Sequence, residues 1–112
     1  MKVAVVGSRS FKNYKLLKSK LDTYRGITLI ISGGAIGADS LAERYAEEKN
    51  IKIKVYKADW DLYGSSAGFL RNIKVIDNCE KLIAFWDGRS NGTNHSITLA
   101  KAKNKPYRIF YI

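Results

Sequence analysis

Short apolar runs alternate along the chain with stretches whose apolar residues recur every three or four positions. Val3 to Val6 is the first run and reads as a buried strand. From Asn13 to Tyr24, the residues Tyr14, Leu17, Leu21 and Tyr24 share one helical face, with Asn13 placed to cap its start and Gly26 to stop it. Ile27 to Ile31 is the second strand. A glycine turn follows, Ser32-Gly33-Gly34-Ala35-Ile36-Gly37-Ala38-Asp39. The helix after it begins near Leu41 and runs to about Lys49, with Leu41, Ala42, Tyr45 and Ala46 facing inward and Asn50 ending it. Ile51 to Tyr56 alternates lysine with apolar residues, which marks a strand with one wet face. Beyond an aromatic and acidic loop, Asp59 to Gly64, a helix from about Ala67 to Asn78 is expected to bury Leu70, Ile73, Ile76 and Cys79. Lys81 to Trp86 is the fourth strand and Asp87 to Thr93 a second glycine-bearing loop. A helix from about Asn94 to Lys103 and a strand from Pro106 to Ile112 complete the chain.

Five strands alternating with four helices predict an α/β fold, a Rossmann-like three-layer sandwich around a parallel sheet. The first, second and fourth strands are nearly continuous apolar runs, as central strands are. The third carries lysines and the fifth carries Pro106 and Arg108, as edges do. Right-handed crossovers then favour the order 3-2-1-4-5. That order places a ligand crevice at the C-terminal ends of the first and fourth strands.

Composition narrows the picture. A chain of 112 residues suits a single domain, 1–112. No apolar run approaches the roughly 20 residues of a membrane span, and Met1 to Gly7 lacks the length and cleavage site of a signal peptide. Cys79 is the only cysteine, so an internal disulfide is excluded and a reducing cytoplasm fits. It lies on a helical apolar face and reads as a buried, inert thiol. Twenty Lys and Arg against ten Asp and Glu give a net charge of +10, which favours anionic partners. The lysines are spread along the chain, so a solvated basic surface explains them equally well. No Cys, His and acid cluster stands at metal spacing, and neither a metal nor another cofactor is expected.

Four loops should meet at the crevice. They bring Gly7, Ser8 and Arg9; Ser32, Gly33, Gly34, Gly37 and Asp39; Trp60, Tyr63, Gly68, Arg71 and Asn72; and Asp87, Gly88, Arg89, Ser90, Gly92 and Thr93. A helix N-terminus after a glycine turn presents unpaired N–H groups and a favourable dipole to phosphate. Arginines can add charge, a carboxylate can bind ribose hydroxyls, and Trp60 or Tyr63 can cover a base. Each residue also has a plainer use: arginines pair with neighbouring Asp, aromatics pack, Asp39 offsets a helix dipole, and Asp87 caps its loop. His95, the single histidine, belongs to no evident catalytic set. The Gly-Lys-Ser/Thr phosphate loop is absent, and the glycine spacing does not match the dinucleotide fingerprint.

Taken together, Gly7-Ser8-Arg9, the Ser32 to Asp39 turn, Ala67-Gly68-Phe69-Leu70-Arg71-Asn72 and Trp86 to Thr93 resemble the SLOG superfamily. That Rossmann-like clan is named for DNA-processing protein A (Smf) and the LONELY GUY proteins, and the chain is most similar to its small stand-alone branch in bacteria and phages. The resemblance implies a nucleotide or ADP-ribose-derived ligand, sensed or sequestered, and a homodimer or higher homo-oligomer. LONELY GUY enzymes are similar in fold and cleave nucleoside 5′-monophosphates, which leaves a phosphoribohydrolase as the alternative. Their glycine and threonine are followed two residues later by a catalytic Glu. Here Gly92-Thr93 is followed by Asn94, His95 and then Ser96 at the position of that acid, so catalysis would fall to Asp39, Arg71 or Asp87. The DNA-processing branch implies a further alternative, single-stranded DNA binding, less favoured because the aromatics are not interleaved with basic residues along one face.

Overall fold

In a computed structural model describing residues 1–112, the apolar runs become five strands: β1 (Lys2–Gly7), β2 (Leu29–Ser32), β3 (Lys52–Val55), β4 (Lys81–Trp86) and β5 (Tyr107–Tyr111). Every neighbouring pair is parallel and the order is β3-β2-β1-β4-β5, as the strand chemistry predicts. The helices are α1 (Tyr14–Leu21), α2 (Ala38–Glu48), a single turn α3 (Trp60–Tyr63), α4 (Ala67–Asn78) and α5 (Asn91–Ala102).

Central strands are apolar throughout because both faces are covered. Val3, Val5, Ile30, Ile83 and Phe85 pack with Leu17 and Leu21 of α1 and Ala42, Tyr45 and Ala46 of α2. Ala4, Val6, Ile31, Leu82 and Ala84 pack on the other face with Val75 and Ile76 of α4 and Ile97 and Ala100 of α5. Phe85 is sandwiched by Phe11 and Phe110, with centroids 5.1 Å and 5.5 Å away. Removing each such side chain from water contributes about 1.5–3 kcal/mol. The helix start at Asn13 is as expected: its side chain accepts from the Leu16 N–H at 3.1 Å.

Several boundaries move. The first helix ends at Leu21, and Gly26 takes its positive φ of 77° in the following loop instead of stopping the helix. Both α2 and α5 begin three residues earlier than the apolar periodicity suggests, at Ala38 and Asn91. Asp59 to Gly64 is a helical turn, because the Asp59 carboxylate caps the Leu62 N–H at 3.0 Å. Leu70 is 36% exposed rather than buried, and Asn72, Val75 and Ile76 point inward in α4. The helix is rotated to turn the polar Asn72 toward α5, where it finds hydrogen-bond partners. Cys79 is buried, as its place on the apolar face predicts, and burial pushes its thiol pKa up. The third strand is exposed over most of its length: Ile53, expected to point inward, is 41% exposed and only Val55 is half-buried, because α2 covers just part of this edge.

Two glycines permit the close approach of β1, β4 and α2. A Cβ on Gly7 would lie 2.4 Å from the Phe85 carbonyl oxygen and 2.6 Å from the Ala38 Cβ. Gly37 has φ +85°, and a Cβ there would lie 2.4 Å from the Ser8 carbonyl oxygen. Gly7→Ala must therefore force backbone apart, and we expect it to lower stability by at least about 2 kcal/mol in urea unfolding. A loss below about 0.5 kcal/mol, the range of neutral surface changes, would refute that packing.

Candidate functional site

The C-terminal ends of β1, β2 and β4 open into a cleft of about 390 Å³. Of the sequence-predicted site residues, Gly7, Arg9, Gly33, Asp39, Arg71, Asn72, Ser90, Gly92 and Thr93 line it. Val6, Ser10, Ala35, Val75, Asn91 and Ser96 line it as well. Asn91 lies within the second glycine loop and Ser96 stands where the related enzymes carry their acid, so both had a sequence signal. Val6 and Val75 had none, because an apolar floor residue reads like any other core position.

Asp39 is 5% exposed. Its Oδ2 accepts from the Gly33 N–H at 3.1 Å and the Ala35 N–H at 3.2 Å. The Gly34 N–H donates to the Ser32 Oγ at 3.0 Å. The first glycine bend therefore does not aim these three amides at a guest, contrary to the expectation for that turn; they hold the bend itself together. Asp39 Oδ1 makes no hydrogen bond, and every fully buried side-chain polar atom has a partner, so this oxygen opens to the cleft. Burial raises the Asp39 pKa to about 6, against the pull of the Ala35 amide, the Arg71 guanidinium and the Gly33 amide.

Arg71 reaches the same bend from α4. Its Nη1 donates to the Gly33 carbonyl at 2.7 Å, and its Nε to Asn72 Oδ1 at 2.9 Å. That contact fixes the Asn72 amide, whose Nδ2 points at the Gly92 carbonyl (3.3 Å) and at His95 Nδ1 (3.1 Å). His95 is thus an acceptor at Nδ1 and carries its proton on Nε2. Burial lowers its pKa, and Phe69 packs edge-on against its ring. The histidine supports Asn72, and Asn72 orients Arg71. Burial also lowers the Arg71 pKa, countered by Asp39.

The second bend is built differently. Asp87 accepts from the Arg89 and Ser90 N–H groups at 2.8 Å each and from the Ser90 hydroxyl. These bonds lower its pKa to about 2. Ser8, buried, lies 2.9 Å from the Ser90 hydroxyl and accepts from the Asp87 N–H at 3.2 Å, tying the two loops together. With the Ser90 side chain so engaged, α5 has no side-chain cap and no acid in its first turn. The N–H groups of Asn91, Gly92 and Thr93 have no protein acceptor, and all three residues line the cleft.

The remaining predicted residues stand outside the lining. Ser32 is buried and donates to Glu43. Gly34 and Gly37 shape the first bend, and Asp87 and Gly88 the second. Trp60 is 53% exposed on α3, its ring edge 3.3 Å from where a Gly68 Cβ would lie, and Arg71 Nη2 is 3.8 Å from that same point. Tyr63 is exposed too.

This arrangement can be set beside known proteins. A family model described as YAcAr, the YspA, cpYpsA-related SLOG family, matches residues 1–63. Gene 61 protein of Mycobacterium phage D29 is 33% identical over 115 residues, spanning 94% of this chain and 92% of that protein. The chain belongs to the SLOG family. Its fold is that of DNA processing protein A (DprA) from Streptococcus pneumoniae, with a TM-score of 0.81 at 20% identity over 96% of this chain and 49% of that one. DNA processing protein A from Helicobacter pylori, solved for its single-stranded DNA binding mode, matches with a TM-score of 0.70 at 25% identity over 97% of this chain and 64% of that one. This SLOG chain thus spans about half to two thirds of the length of those solved structures. No helix in it is long and apolar enough to cross a membrane.

The buried carboxylate gives the SLOG cleft a pH signature. Its pKa is higher folded than unfolded, so its contribution to stability is full below the ordinary value of 3.8 and is lost as pH rises through about 6. Asp39→Asn keeps an acceptor for both amides and does not titrate. The stability of Asp39→Asn relative to the wild type should therefore rise between about pH 4 and pH 7, by on the order of 3 kcal/mol. Urea unfolding of both proteins across that range checks it; a constant difference would contradict the raised pKa.

Proposed function

We propose that the cleft binds a nucleotide or an ADP-ribose-derived small molecule and that the protein senses or sequesters it. The observation that carries this reading is the bare first turn of α5 in the same cleft as the open Oδ1 of Asp39. A phosphate accepts from the Asn91 to Thr93 amides, and Arg9 and Arg71 add charge. A ribose hydroxyl donates to Asp39 Oδ1. Trp60, beside Gly68 and Arg71, offers a face to a base. The volume of about 390 Å³ is in the range of small-molecule sites. The proposed setting is a single-domain cytoplasmic protein acting as a homodimer or higher homo-oligomer.

Calorimetry against ADP-ribose, cyclic nucleotides and nucleoside monophosphates tests it. At least one should bind, and Arg71→Ala should weaken that binding about 10- to 100-fold, the worth of a charge-assisted hydrogen bond. Absence of heat with every one of them would remove the reading.

A second reading is N-glycosidic cleavage. Its specific support is a carboxyl group with a pKa of about 6, open to the cleft and near Arg71, which suits acid–base work at neutral pH. Against it, Ser96 is buried and its hydroxyl donates to the Gly92 carbonyl at 3.3 Å, so nothing replaces the missing Glu at that position. Under this reading AMP releases free adenine, and Asp39→Asn lowers the rate by about 100-fold or more. Chromatography that finds AMP intact after prolonged incubation leaves the binding reading alone.

The third reading is single-stranded DNA binding. It is supported by the net charge of +10 and by the similarity to the H. pylori protein.

A further inference from the structure

The exposed edge of the sheet carries a second concavity, which runs from Lys2 and Lys52 at the N-terminal ends of the strands to Tyr56, beside the first glycine bend. In register across the sheet, Lys2 of β1 lies beside Leu29 of β2, and Leu29 beside Lys52 of β3. One pleat further on, Ile31 lies beside Lys54. These side chains share the face that α4 and α5 cover elsewhere, and α4 reaches this corner only with its last residue, Asn78. The result is a groove of about 460 Å³ with Leu29 and Ile31 as its floor and Tyr56 in its wall. No carboxylate lines it, and Lys2, Lys52 and Lys54 take part in none of the chain's ion pairs.

We propose that this groove binds single-stranded nucleic acid. The argument is geometric and electrostatic. Two intervals between neighbouring strands separate Lys2 from Lys52, about 10 Å, so cations flank a narrow apolar trough. Lys52 and Lys54 follow each other at about 6.6 Å, a spacing that suits successive phosphates of an extended strand. The trough is too narrow for a duplex, and only a single strand has base faces free for the half-buried Leu29 and the Tyr56 ring, beneath which the buried Ile31 closes the floor. Tyr56 is held for this: its N–H donates to the Ser32 carbonyl at 2.9 Å, and Lys54 Nζ sits 5.3 Å from its ring centroid. A second copy of the chain is a poor occupant, because edge-to-edge pairing would bring the lysines of both copies together. The proposal deepens the nucleic-acid reading and is independent of what the cleft binds.

The test is fluorescence anisotropy of a labelled oligothymidylate of about 15 nucleotides, within the site sizes of single-strand binders. The wild-type chain should bind it with an affinity that falls steeply with salt. The pair Lys52→Gln with Lys54→Gln, both on an exposed edge strand, should bind about tenfold or more weakly, and the slope of log affinity against log salt should shrink by about 1.4. Its far-ultraviolet circular dichroism and its nucleotide binding in the cleft should match the wild type. If the wild type does not bind the oligonucleotide, the proposal fails while the cleft reading stands. It also fails if the lysine pair binds as the wild type does, if Arg71→Ala removes oligonucleotide binding while the lysine pair keeps it, or if a blunt duplex binds equally well.

Discussion

Taking the Asp39 carboxylate out of water costs several kcal/mol, and the geometry around it returns only part of that. Two backbone amides of the β2–α2 bend close on one of its oxygens, and Arg71 comes to the same bend through the Gly33 carbonyl. A Cβ on Gly33 would lie 2.9 Å from the carboxylate and 2.7 Å from the Arg71 side chain, so only glycine lets the two groups converge. The bend, the start of α2 and the placement of Arg71 all follow from this arrangement. The other oxygen is left facing the cleft. A buried charge kept half-satisfied is a destabilising feature, and such features concentrate where a ligand completes them.

The two glycine bends divide the work. The first folds on itself: Ser32 and Asp39 take its amides, and what it gives the cleft is a carboxylate. The second ties its own polar side chains together through Asp87, Ser90 and Ser8 and leaves its amides free. One wall of the cleft is therefore an acceptor and the other a donor. Asn72 bridges them, holding the Arg71 guanidinium on one side and the Gly92 carbonyl on the other, with His95 behind it. A phosphorylated sugar presents the complementary pair, an anion and a row of hydroxyls.

Apart from Arg9 and Arg71, the positive charge lies outside the cleft. Its lysines sit on exposed surface, and at the β3 edge they discourage pairing with another sheet. Family membership is secured by a match that runs through β1, the first glycine bend and α3, and by a phage relative of almost equal length. The resemblance to DprA structures adds the fold and leaves the ligand to be decided by the residues of the cleft.

Much was legible in the chain itself. Strand order followed from composition, because strands buried on both faces must be apolar throughout and edges tolerate lysine and proline. The loops meeting at one rim followed from that order. Hydrophobic periodicity could not reveal how the polar groups would be shared out. Whether Gly33 offers its amide to a ligand or to Asp39 depends on a hydrogen bond across a folded loop. Whether α4 turns Leu70 or Asn72 inward depends on a partner twenty residues away in α5. Local sequence determined the scaffold, since burial and backbone propensity act on neighbouring residues. The tertiary structure alone decided which oxygens and amides remain unpaired at its rim, since that choice is made between groups that meet only after the chain has folded.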